Sequence, residues 1–128
     1  MKLFTEQQHQ KLVENGHNRD QDHAPVVRLY LPFTNCQWLL SEIDSEEPDI
    51  AFGLCDLGMG FPELGNVSLE EIQGITVVPA TITVDQQFRG NYPMSVYCCA
   101  ARLNQEISID EQHLQQCAQK LKKPKIQP

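Results

Sequence analysis

The order of apolar and polar residues divides the chain into short strands and helices. Thr5 followed by Gln8 fits a capping box, so a helix is expected from Glu6, with Gly16 as its stop. Only Leu12 and Val13 are apolar within it, which predicts a surface position. His17–Asp22 reads as a polar loop. In Pro25–Leu31 (PVVRLYL), Val27, Leu29 and Leu31 alternate with Val26, Arg28 and Tyr30, the pattern of a strand with one well-buried face. Cys36–Ile43 (CQWLLSEI) reads as a second strand, joined to the first through the hairpin sequence PFTN. Asp44–Asp49 (DSEEPD) is an acidic turn. Ile50–Leu57 (IAFGLCDL) is a third strand, in which Ile50, Phe52 and Leu54 share a face with Asp56. Three consecutive strands with short turns predict an antiparallel meander rather than βαβ units.

Beyond this meander the punctuation changes. Gly58–Gly65 (GMGFPELG) reads as an irregular loop whose glycines permit positive φ. Ser68 with Glu71 forms a second capping box, opening a short helix that Gly74 ends. The β-branched run Ile75–Val84 predicts a strand, with Pro79 arguing for an edge position or a bulge. Pro93 opens a helix to about Leu103 that places Met94, Tyr97, Cys98 and Ala101 on one face. Asp110 starts a last helix with Leu114, Cys117, Ala118 and Leu121 as its stripe. The expected fold is a single α+β domain over residues 1–121. It has an antiparallel sheet of about four or five strands with helices packed on one face, and a flexible basic tail over residues 122–128.

Charge sharpens this picture. The 128 residues carry 17 Asp and Glu against 10 Lys and Arg, a formal charge of −7. From Leu29 to Phe88 there is no Lys, Arg or His, while Glu42, Asp44, Glu46, Glu47, Asp49, Asp56, Glu63, Glu70, Glu71 and Asp85 fall in that stretch. Four of the cations close the chain at Lys120, Lys122, Lys123 and Lys125. Such a chain repels phosphates, so direct nucleic-acid binding is disfavoured, and an acidic surface suits a basic or DNA-binding protein as partner. The N-terminus has no apolar signal-like core and no run approaches a membrane span, so a cytoplasmic location is expected, without membrane contact.

Candidate chemistry is sparse. The five cysteines are odd in number and form no CxxC, which predicts reduced, mostly buried thiols. GxGxxG, GK[ST], GxSxG and HExxH patterns are absent, so no cofactor is expected. Asp20, Asp22 and His23 carry ligand types for a divalent metal, although polar loop side chains more commonly cap backbone groups. Asp56 and Glu63 flank the glycine loop, where paired carboxylates serve acid–base chemistry or bond loop amides. Tyr30, Phe33, Trp38 and Phe52 are expected mostly in the core. Phe61, between Gly60 and Pro62, is the aromatic best placed as an exposed anchor.

The blocks DHAPVVRLYLP (Asp22–Pro32), WLLSEID (Trp38–Asp44) and FGLCDLGMGFPELGNVSLEEI (Phe52–Ile72), followed by YPMSVYCCAARL (Tyr92–Leu103), resemble in order and spacing the bacterial family known as domain of unknown function 2958. The resemblance covers roughly residues 1–103. It implies a small cytosolic protein of plasmids, integrative elements or phages, and it brings no activity, cofactor or catalytic residue. The basic residues usual for the family between Gly74 and Arg89 are sparse here.

Three function classes follow. The favoured one is a non-enzymatic acidic binding protein acting on a DNA-handling, defence-related protein. Its contacts would be Glu42, Glu46, Glu47 and Glu70, with Asp56, Phe61 and Glu63 at the loop. The second is a metal-assisted hydrolase or nuclease using Asp20, Asp22, His23 and Asp56, with Glu63. The third is a structural or self-assembly module pairing through the Gly58–Gly65 loop or an edge strand. The sequence leaves the oligomeric state open.

Overall fold

The computed structural model describes residues 3–122, so all of the expected basic tail except Lys122 lies outside the described residues. Helix α1 spans Glu6–Gly16, and its capping box forms: the Thr5 side chain accepts from the Gln8 amide while the Gln8 side chain accepts from that of Thr5. The strands that follow are β1 (Val27–Tyr30), β2 (Cys36–Ile43) and β3 (Ile50–Leu57), with the antiparallel pairing expected of a meander. Next come β4 (Glu63–Ser68), α2 (Leu69–Gln73), β5 (Thr76–Val77), β6 (Ala80–Thr81) and β7 (Thr83–Val84). Helices α3 (Met94–Asn104) and α4 (Glu111–Lys122) end the described chain. The main sheet has five antiparallel strands in the order β4-β3-β2-β1-β7, and β5 pairs with β6 in a separate hairpin. The fold is α+β.

The helices divide between the two faces of this sheet instead of sharing one. Strand β2 explains why: Trp38 and Leu40 point to one side and Leu39 to the other, so both faces need an apolar cover. Trp38, Leu40, Val27, Leu29 and Leu31 pack with Leu12 of α1 and with Leu69 and Ile72 of α2. Leu39 and Leu54 pack with Tyr97 and Ala101 of α3 and with Leu114 and Cys117 of α4. The polar composition of α1 suggested a surface helix, yet Leu12 is fully buried and α1 lies against β2.

Two segments depart from expectation. The Gly58–Gly65 loop ends early, because β4 starts at Glu63 and pairs with β3 from Cys55↔Glu63 to Ile50↔Ser68. The Ile75–Val84 run breaks into three two-residue strands: Pro79 lies in the β5–β6 turn, and β7 pairs with β1 at the sheet edge.

One irregularity places a functional candidate. Between Leu40↔Gly53 and Glu42↔Phe52 the β2–β3 register shifts, leaving Ser41 as a bulge. A Cβ on Gly53 would stand 2.0 Å from the Leu39 carbonyl oxygen, so only glycine fits this close approach. The bulge exchanges the faces of the two residues beyond it. Ile43, opposite Ala51, joins the α1 core, and Glu42, opposite Phe52, turns to the α3 side.

Candidate functional site

Strand direction gives the sheet two unlike ends. The β2–β3 turn and the β4–α2 junction lie at one end; the β1–β2 turn and the β3–β4 loop lie at the other.

The first end is acidic, and two aspartates build it. Asp44 Oδ1 accepts from the amides of Glu46 at 2.8 Å and Glu47 at 3.0 Å, while Arg19 Nη1 donates to Oδ2 at 3.0 Å. The two backbone donors, then Arg19, hold the Asp44 carboxyl below the usual carboxylate range. Asp49 is lowered likewise, by the Ser68 hydroxyl at 2.6 Å and the Glu70 amide at 2.9 Å. Ser68 also caps α2 by accepting from the Glu71 amide. Glu46, Glu47, Glu70 and Glu71 remain exposed around this frame. Arg19, distant in sequence, is the cation that folds back onto it. Arg28 similarly pairs with Asp85 at 2.9 Å, so the cation-free stretch is partly neutralised in space.

Glu42, expected on that surface, is buried at 6% exposure on the α3 side. Arg19 Nε is 3.8 Å from its Oε1 and His23 Nε2 is 4.0 Å from its Oε2. Oε2 has no hydrogen-bond partner among the described residues. Burial raises the Glu42 pKa against the opposing pull of Arg19 and His23. A cavity of about 280 Å³ lies here, with Arg19, Asp22, His23 and Glu42 as polar wall and Phe52, Leu64 and Met94 as apolar wall. A broader polar cleft of about 750 Å³ shares Asp22 and His23 and opens between α1 and residues 86–90.

The residues proposed as metal ligands serve local structure. Asp22 accepts from both the Ser95 amide and the Ser95 hydroxyl, capping the first turn of α3. His23 Nε2 lies 2.7 Å from the Asn18 carbonyl oxygen, so that nitrogen carries a proton and donates it. Asp20 is exposed. Among the described residues no three His, Cys, Asp or Glu side chains gather in a group fit for a metal ion.

The second end is apolar. Phe33 is 92% exposed at φ 67°, and Met59 and Phe61 are 74% and 79% exposed on the neighbouring loop. Phe61 is thus the exposed loop aromatic, whereas Phe33 leaves the core expected for it. Beneath the loop Asp56 is fully buried: Oδ1 accepts from the Gly58 amide at 2.8 Å and Oδ2 from the Ile107 amide at 2.9 Å. These bonds close the β3–β4 turn and pin the α3–α4 connection to the sheet. Glu63 is exposed and lines a separate cleft of about 350 Å³ with Arg102. The structure therefore does not unite Asp56 and Glu63 with Asp20, Asp22 and His23 around one shared cavity.

All five cysteines are free thiols. Burial pushes Cys55 and Cys117 up to about 11, with Cys99 adding to the shift at Cys117, so both stay protonated at neutral pH. Sequence reasoning missed Arg19 and Phe33. The turn sequence PFTN was the available signal for Phe33; no local signal marked Arg19, whose acidic partners lie more than twenty residues downstream.

No helix among the described residues is long and apolar enough to cross a membrane. No curated protein and no solved structure matches the chain. A family model described as "Protein of unknown function (DUF2958)" matches residues 3–108, which span α1 to α3 and all the strands of the sheet, and the chain belongs to that family.

Proposed function

We propose that this chain is a non-enzymatic binding protein of mobile-element biology that presents the acidic end of its sheet to a basic, DNA-handling protein partner. The observation that carries the reading is the division of labour at that end. Asp44 and Asp49 are spent on backbone amides and a hydroxyl, which leaves Glu46, Glu47, Glu70 and Glu71 exposed around a fixed turn. Carboxylates held on a rigid frame compete with phosphates for the same lysines and arginines, and they do so most strongly at low salt.

The test is affinity capture from a bacterial lysate at low and high salt, with the wild-type chain and the triple variant E46Q/E47Q/E70Q. Glu42 is left intact because it is buried. A DNA-handling protein retained at low salt by the wild type, displaced by duplex DNA and lost with the variant, is the expected result. Equal retention by the variant would overturn the reading.

A further inference from the structure

We propose that the outer edge of β4 is a self-association surface, which pairs antiparallel with β4 of a second copy of this chain about a two-fold axis at Gly65. This goes beyond the acidic end, and its test needs no partner of that end.

The edge is long and open. Strand β4 closes the sheet on one side and β7 on the other. β7 has two residues, whereas β4 has six. The register of β4 against β3 runs without a shift, and the strand holds no Lys or Pro. It therefore lacks the bulge and the residue types that commonly blunt a sheet edge. Leu64 is 45% exposed, and Asn66 is exposed as well.

The ladder decides which backbone groups face outward. The Leu69 amide donates to the Asp49 carbonyl oxygen at 2.8 Å, one position beyond Ile50↔Ser68. Bonded and unbonded pairs alternate between antiparallel strands. Val67, Gly65 and Glu63 therefore bond to β3, while Leu64 and Asn66 turn their N–H and C=O groups to the open edge. Among the described residues no turn or loop backbone group bonds to these.

Gly65 is the second observation. Its φ is not positive, and it pairs with Gly53 in regular register. A Cβ built on it would meet nothing within 4 Å. Neither backbone conformation nor packing within the chain requires glycine here, and glycine weakens a strand. A glycine in a strand also marks the close approach of another backbone, and here that backbone comes from outside the chain.

The strand itself fits as that backbone. With Gly65 opposite Gly65, Leu64 of each copy faces Asn66 of the other, so every outward N–H of these residues meets an outward C=O. The two glycines then form an unbonded pair, the kind whose Cα atoms come closest, at about 4.5 Å. Glu63 faces Val67 rather than another Glu63. The antiparallel sense also keeps like charges apart. Ser68, which leads into Glu70 and Glu71, lies about 20 Å along the edge from its counterpart, well beyond a Debye length of about 8 Å.

The experiment is sedimentation equilibrium on the full chain from about 10 µM to about 1 mM, for wild type and N66P. It is joined by NMR on a mixture of ¹³C-labelled and unlabelled wild-type copies. N66P removes an outward N–H and leaves the donors of the β3 ladder in place. The wild type should pass from one copy to two across this range, and N66P should weaken the association by about tenfold or more. The mixture should show a contact between the Gly65 Hα atoms of the two copies, and this contact decides the matter if N66P does not fold. A monomer at every concentration, a folded N66P that associates like wild type, or a dimer without the Gly65 contact would overturn the assignment.

Discussion

The two ends of the sheet are made of the same kinds of parts, turns closed by aspartate, and they present opposite surfaces. At the acidic end Asp44 and Asp49 sit near the surface, where amides and a hydroxyl hold them below the usual carboxylate range while the neighbouring glutamates face solvent. At the apolar end Asp56 is fully buried and the residues around it in the loop are Leu57, Met59 and Phe61, all exposed. An aspartate that bonds turn amides is therefore a folding element at either end. What the end offers a partner is decided by the residues the turn displays.

The largest expected effect comes from removing the buried member of this comparison. Asp56→Ala strands the Gly58 and Ile107 amides and should cost about 3 kcal/mol or more in denaturant unfolding. A loss below about 1 kcal/mol would show that the apolar end does not depend on it.

Next in size is the loss of partner retention in E46Q/E47Q/E70Q, expected at about tenfold or more at low salt. Its unfolding free energy should stay within about 0.5 kcal/mol of wild type, since these side chains are exposed. A large stability change would mean that the glutamates, like Asp44, are part of the frame.

A smaller effect separates the buried acid from the framing acids by pH. The folded-state pKa of Glu42 is raised by burial, so its contribution to stability is full below its unfolded pKa and is lost as pH rises through the folded one. E42Q should therefore be more stable than wild type at neutral pH, by about 2 °C in Tm, with the gain vanishing in acid. Asp44 has the opposite sign. Its lowered pKa gives stability that is present above the unfolded value and lost as pH falls through the folded one. D44N should lower Tm at neutral pH and converge with wild type in strong acid. Thermal melts across pH check both signs.

The smallest effect is expected at the apolar end. F33S/F61S should leave stability within about 0.5 kcal/mol and partner retention within about twofold, because both rings are exposed and lie at the opposite end from the proposed contact. A marked loss of retention would move the contact surface to that end.

Much of this arrangement was legible in the sequence where local physics decides. Strands β2 and β3 begin and end where their patterns predict, the Thr5–Gln8 capping box forms complete, and Ser68 caps α2 without the reciprocal Glu71 bond of the expected box. Strand β4 was hidden because Pro62, Gly65 and Asn66 signal loop, whereas its pairing with β3 rests on backbone bonds that composition does not report. The bulge escaped for a related reason. In WLLSEI an unbroken alternation reads as well as one with an extra residue, and only Gly53 on the facing strand marks the shift. The burial of Glu42 and the approach of Arg19 follow from that shift and from the path of the chain after α1. No local pattern encodes either.

The most direct measurement is hydrogen–deuterium exchange on the chain with its captured partner bound. The binding reading predicts slower exchange over residues 44–49 and 69–73, with residues 33–36 and 57–62 unchanged. Protection of the Phe33 and Phe61 turns with an unprotected acidic end would contradict it.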